Sequence, residues 1–180
     1  MKPTHLLLAA LLGTLGPALA AAEAPVRSPG FVDGSAFSAL AGGDDAETIE
    51  VSLEGPLLRA VFSGDPELKS ATVGLESIHA VILGLKKDDA LRARAQRLVQ
   101  ETQARLKAKG WVTLAMVRDG QEQIFVMTLS KDATIQGLVV LVVDPSENQV
   151  VFTNIAGTLD LAAIKKIGEK VDVPGLEHVK

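Results

Sequence analysis

The stretch Ile135–Val143 (Ile-Gln-Gly-Leu-Val-Val-Leu-Val-Val) constrains this chain more than any other segment. In an extended strand successive side chains point to opposite faces. Leu138, Val140 and Val142 therefore fall on one side and Val139, Leu141 and Val143 on the other. Gln123–Leu129 has the same character, with Phe125, Met127 and Leu129 opposing Ile124 and Val126. An antiparallel sheet with one wet face alternates apolar and polar residues, so these strands require cover on both sides. The cover can come from the chain's own helices, a second subunit, a partner or an apolar ligand.

The remaining periodicities supply the elements around those strands. Thr48–Leu53 alternates and stops at Gly55-Pro56, a strand signal. Pro56 suits the first turn of a helix carrying Leu57, Leu58, Ala60, Val61 and Phe62, which closes at Gly64-Asp65-Pro66. A further turn over 66–71 precedes a second strand, Ser77–Leu85. Asp88 or Asp89 caps the longest helix, running to about Lys107, with Gly110 as its stop. Leu91, Ala95, Leu98, Thr102 and Leu106 share one face of it, with Val99 beside them. Four strands follow: Trp111–Val117, Gln123–Leu129, Ile135–Val143 and Val150–Ile155. Arg118-Asp119-Gly120-Gln121 supplies the first tight turn. A helix over Leu161–Lys170, with Asp160 as N-cap, closes the fold. The order strand, helix, strand, helix, four-strand meander, helix predicts a single α+β domain over 48–175. Its sheet is largely antiparallel, of about six strands and backed by helices, because the last connections are too short for parallel crossovers. Residues 176–180 form a C-terminal tail.

Ahead of this domain, Met1–Ala20 reads as a signal peptide. Lys2 is its charged start, Leu6–Leu15 its apolar run, and Ala18 and Ala20 are the small residues before a cleavage point after Ala20 or Ala22. The run is shorter than the roughly 20 apolar residues that span a bilayer. A periplasmic or secreted location, with no transmembrane segment after cleavage, is the expectation. Residues 21–47, rich in Ala, Gly, Ser, Pro and Asp, read as a flexible leader. Within it Phe31 and Phe37 would let Gly30–Leu40 dock on the domain as a short amphipathic turn.

Several pieces together resemble a known bacterial family. These are Thr48-Ile-Glu-Val-Ser-Leu leading into Pro56-Leu57-Leu58, Gly110-Trp111, Ile135-Gln-Gly-Leu-Val-Val, and Asn154-Ile-Ala-Gly-Thr-Leu-Asp160. In that order, from about Thr48 to Gly175, the chain resembles domain of unknown function 4252. The resemblance implies a secreted, single-domain protein of envelope-bearing bacteria, and it implies no reaction, cofactor or catalytic residue.

Composition narrows the chemistry. The 180 residues include no cysteine and no tyrosine, and three histidines. Disulfide scaffolds, thiolate metal sites, thiol catalysis and a lipidated N-terminal cysteine are excluded. His79 lies inside an apolar strand and reads as structural, and His178 is two residues from the end. No serine has a nucleophile-elbow setting. Asp65, Asp119, Asp132, Asp144 and Glu147 are turn residues, and Glu50 and Glu54 read as an outward strand face. Asp144, Ser146 and Asn148 mimic alternate calcium ligands, yet Gln149 stands where the loop needs glycine. No catalytic residue, cofactor site or metal site is assigned. Asn154, Gly157 and Asp160 form a candidate ligand edge. On a structural reading Asn154 instead bonds backbone where its strand ends, Gly157 takes a turn conformation, and Asp160 caps the last helix.

Charge is segregated. Lys86–Lys109 holds eight basic and three acidic residues in a chain whose formal net charge is -4. Arg94, Arg97 and Arg105 gather along one flank of the long helix, with Glu101–Arg105 a favourable pair. This flank is a candidate surface for an envelope protein or an anionic lipid surface. The acidic remainder argues against nucleic acid. The residues favour a non-enzymatic interaction module of the cell envelope. A carrier for a lipid or other apolar ligand is the alternative, and a carboxylate-based hydrolase comes after both.

Overall fold

The structure, a computed structural model, describes residues 27–41, 47–86, 88–132, 134–160, and 162, 164 and 166. The expected signal peptide, the tail and most of the closing helix lie outside the described residues. The elements are α1 (Ser35–Ser38), β1 (Thr48–Glu54), α2 (Gly55–Phe62), α3 (Pro66–Ala71), β2 (Leu75–Gly84), α4 (Asp89–Ala108), β3 (Val112–Asp119), β4 (Glu122–Lys131), β5 (Thr134–Asp144) and β6 (Gln149–Leu159). The strands form one sheet in the order β1-β2-β6-β5-β4-β3, with every pairing antiparallel. The α+β architecture and the terminal meander are as the periodicities predict.

Local chemistry sets the boundaries. Asp65 caps α3 by accepting from the Glu67 and Leu68 amides at 2.9 and 3.2 Å. Asp88 caps α4 through the Ala90 and Leu91 amides, both at 2.9 Å. Each carboxylate satisfies amides that the first helical turn leaves without partners. At the other end of α4, Gly110 takes φ +87° and redirects the chain into β3. Asp119 pairs with Glu122, so the first hairpin loop is Gly120-Gln121, with Gly120 at φ +57°.

The doubly apolar strands are covered on both faces. On one, Val139, Leu141 and Val143 pack with Phe125, Met127 and Phe152 beneath Leu91, Ala95, Val99 and Leu106 of α4. On the other, Leu138, Val140 and Val142 pack with Ile124, Val126 and Ile155 beneath Leu58 and Phe62 of α2, Leu68 of α3, and Ile164. Burying a side chain of this size is worth about 1.5–3 kcal/mol. The central strands thus supply the same driving force in two directions.

Two expectations need correction. Part of the leader is not a loose segment: residues 27–41 form a strap on the α4 side of the sheet. Phe37, 1% exposed, stacks on Phe152 with ring centroids 5.0 Å apart, and Val32 and Phe37 belong to that core. The docking expected of Gly30–Leu40 is thus formed through Phe37, while Phe31 is only half-buried, beneath Arg27; the flexible reading came from the leader's small residues and glycines, which resemble linker. Gly30 crosses β5 at Gly137, and a Cβ on either glycine would collide with the backbone of the other segment. The second correction concerns β6, which does not end near Asn154 but runs to Leu159. Gly157, at φ +128°, stays in the strand at a register shift, where its backbone approaches that of Gly74 and Leu75. The expected turn is a bulge that lets two backbones touch.

Trp111, 4% exposed, is the chain's one tryptophan, and its ring edge lies over Gly137 close to the crossing. Gly30→Val is therefore expected to expel the strap, with a red-shifted Trp111 emission and an unchanged β signature in far-ultraviolet circular dichroism. Unshifted emission would show that the strap does not need the backbone contact.

Candidate functional site

Asn154 is fully buried on β6 and all of its amide is used by backbone. Its Oδ1 accepts from the Val32 amide at 2.9 Å, and its Nδ2 donates to the carbonyls of Gly30 at 3.0 Å and Leu138 at 3.1 Å. The side chain presents one donor and one acceptor to an extended segment, as a neighbouring strand would. The structural reading of Asn154 thus describes its role, with the backbone belonging to the strap rather than to a strand end. Asn154, Gly157 and Asp160 do not converge. Asn154 faces the strap, Gly157 abuts Gly74, and Asp160 lines a groove on the other face, where its carbonyl accepts from the Ile164 amide at 3.1 Å.

The far end of the strap holds a polar cluster that sequence reasoning did not assemble. Ser38 Oγ donates to Glu50 Oε2 at 2.8 Å, and His79 Nε2 lies 3.0 Å from Glu50 Oε1. Those bonds, from Ser38 first and His79 second, hold the Glu50 carboxyl below its ordinary value of 4.5. Facing an ionised acceptor, His79 carries its proton on Nε2. The ring stands edge-on to Phe152 with centroids 6.0 Å apart. Asp33 also titrates low, chiefly through hydrogen bonds from the amide and hydroxyl of Ser35, with His79 and Arg27 adding to the effect.

Serine, carboxylate and imidazole meet here in an order unsuited to catalysis. A nucleophile needs the imidazole between itself and the acid. In this cluster the carboxylate lies between, and a depressed pKa makes it a weaker base. The group is a latch that joins the strap (Ser38) to β1 (Glu50) and β2 (His79).

Other sequence candidates are dispersed. Arg94, Arg97 and Arg105 are exposed on α4, and Arg105 donates to Thr102 Oγ1 at 3.3 Å. Among the described residues no ion pair joins Glu101 to Arg105, so that expected pair is not formed. Arg105 and Lys109 also border a depression of about 400 Å³ with Phe31 and Asp33 of the strap, above Trp111. The calcium-like loop is used by its own turn. Asp144 Oδ1 accepts from the amide and hydroxyl of Ser146 and the Glu147 amide, while Asn148 accepts from Arg92 at 3.1 Å. Burial raises the Asp144 pKa, but those bonds outweigh it and hold the carboxyl low. Asp144 thus lacks the raised pKa of a general acid, although Asp119 and Glu122 share a depression with it. Among the described residues no cluster of three or more His, Asp or Glu could hold a metal ion.

A groove of about 970 Å³ lies on the α3 side of the sheet. Val73, Val112 and Leu114 line it together with Thr128, Ser130 and Thr134. Sequence periodicity could not find it, because it lies where α3, the β3 edge and the end of β6 meet.

A family model described as "Domain of unknown function (DUF4252)" matches residues 42–167. The chain belongs to that family. The DUF4252 match begins just after the strap, so Asn154 and Glu50 of the matched region grip a segment that precedes it. No curated protein shows significant similarity to the chain. Among solved structures, the extracellular domain of PknH from Mycobacterium tuberculosis is similar at 13% identity and a TM-score of 0.28. The alignment covers 82% of this chain and 91% of that one, a likeness too slight to carry an argument.

The latch makes strap docking sensitive to acid. A carboxyl with a depressed pKa in the docked state stabilises that state fully above its free value, and the contribution is lost as pH falls through the docked value. On lowering the pH through 4.5 and below, Trp111 emission is expected to shift red ahead of the far-ultraviolet transition. Glu50→Gln should remove the Glu50 part of that early step. Identical titrations for both proteins would assign the latch no role.

Proposed function

We propose that this protein is an exported, non-enzymatic interaction module of the bacterial cell envelope, engaging a partner protein along the β3 edge and the adjoining groove. One observation carries the reading: both faces of the sheet are filled by the chain's own elements, yet its β3 margin exposes Val112, Leu114 and Met116, with Val73 84% exposed across the groove. Apolar side chains gathered into one patch beside an open groove, rather than scattered singly, are a mark of a surface that another molecule covers. Export rests on the N-terminal charge and hydropathy pattern of residues 1–22. Among the described residues no helix is long and apolar enough to cross a membrane. Arg94, Arg97 and Arg105 offer a second, anion-facing surface, suited to phosphate-bearing lipid headgroups or an acidic partner.

The groove itself favours one rival. Its lining of aliphatic residues with five hydroxyls would suit an apolar ligand with a polar end, making the protein a carrier. Photo-crosslinking in the native host from position 112, which lines the same groove, separates the two. The module reading expects one envelope protein to be captured, and Leu114→Glu to abolish capture without altering circular dichroism. A small molecule copurifying in native mass spectrometry, with no protein captured, would replace it with the carrier. Charge reversal of Arg94, Arg97 and Arg105 together is expected to end retention on anionic vesicles, and unchanged retention would remove that flank.

A further inference from the structure

We infer that β1 is a self-association edge through which two copies pair antiparallel about a two-fold axis at Val51, joining their sheets. β1 lies at the end of the sheet opposite β3, and its ladder with β2 runs from Thr48 to Glu54 without a register shift. Native edge strands are guarded against pairing by bulges, prolines or charges that project into the approach. β3 has such a bulge, between Thr113 and Ala115. β1 has neither bulge nor proline, and Glu50, the charge at its middle, is drawn back onto Ser38 and His79.

The sequence of β1, Thr-Ile-Glu-Val-Ser-Leu-Glu, is complementary to itself in one register. With Val51 opposite the second copy's Val51, Ile49 faces Leu53, Glu50 faces Ser52 and Thr48 faces Glu54. Aliphatic meets aliphatic, and carboxylate meets hydroxyl. Moving the axis to Glu50 sets that residue against itself, and moving it to Ser52 sets Glu50 against Glu54. Like charges directly opposite destabilise a pair, and an axis between residues would oppose apolar to polar side chains. The register at Val51 is the one that avoids both while pairing the strand along its full length, since axes at Ile49 or Leu53 leave most of it without an opposite residue.

Exposed apolar surface coincides with this edge. Ile49 and Val51, 51% and 41% exposed, lie on the face where α2 packs, because they pair with Ile82 and Ala80. α2 buries Leu58 and Phe62 and turns Leu57 and Val61 outward, each 55% exposed. Arg59 is the one charged residue in that helix. A helix apolar around most of its circumference belongs in an interface rather than in water. A two-fold operation about Val51 brings the second copy's β1 and α2 to the same face, which is the self-complementary patch that a closed dimer requires. This association is independent of the β3 partner.

The absence of cysteine makes the test direct. Directly opposed antiparallel residues have Cα atoms about 4.5–5.5 Å apart, within the range a disulfide spans. Val51→Cys in the full chain should oxidise to a linked dimer about tenfold or more faster than Val73→Cys, an exposed control beside the β3 groove. In sedimentation equilibrium the unaltered chain should reach twice its monomer mass, and Val51→Lys, which sets two ammonium groups on the axis, should sediment as monomer with unchanged circular dichroism. A chain that stays monomeric at all concentrations would overturn the proposal. So would a dimer that survives Val51→Lys, or one that Val73→Cys traps as fast as Val51→Cys.

Discussion

The structure depends on the two central strands being apolar in both directions. β5 and β6 lie at the middle of the sheet, and neither has a face that tolerates water. Every other element is placed by that requirement. α4 is long enough to shield one side, and α2, α3 and the residues around Ile164 shield the other. Cover by α4 is incomplete over Phe152 and Trp111, and there the strap takes over. A segment of mostly small and polar residues is thereby drawn into the core by a single stacked phenylalanine and an asparagine clamp.

The clamp explains how so slight a segment is held in place. Val32 and Phe37 bring little apolar area beside α4, so burial alone would fix the strap poorly. Asn154 adds two bonds to the strap backbone, at Val32 and Gly30, while its third, to Leu138, holds the amide in place; a net contribution of about 0.5–1.5 kcal/mol for each such bond makes the clamp comparable with the burial of one small side chain. The strap is therefore held as much by this pre-set amide as by its own apolar anchors. Glycine at position 30 is part of the same arrangement, since only a backbone without Cβ lies close enough to β5 for its carbonyl to reach Asn154.

Elements with strong local signals were legible in the sequence: the apolar face of α4, the Asp88 cap, the turn at Gly120, and the two-sided strands. What escaped depended on distance along the chain. Asn154 bonds Val32 across 122 positions, and Glu50 meets His79 across 29. Periodicity carries no information about such pairs. The end of β6 was misplaced because asparagine and glycine usually interrupt strands, whereas here the asparagine serves a neighbour and the glycine admits a close backbone contact. The basic flank of α4 was visible as composition, but whether Glu101 pairs with Arg105 depends on rotamers that spacing does not set.

The two margins of the sheet differ in a way that gives them separate roles. β3 is bulged and borders a groove, so its ladder is a poor template for a further strand, while its side chains remain free to be covered by something that fills the groove. β1 is straight, continuous and short, and its central carboxylate is turned onto the strap. The latch thus couples two parts of the molecule. While Ser38 and His79 hold Glu50, the edge loses the charge that would guard it; when the strap leaves, Ser38 goes with it, and the carboxylate, held by His79 alone, is freer to move toward the edge. Strap docking and edge pairing then favour one another through a single side chain, because the conformation of Glu50 that closes the strap is the one that leaves β1 open to a neighbour.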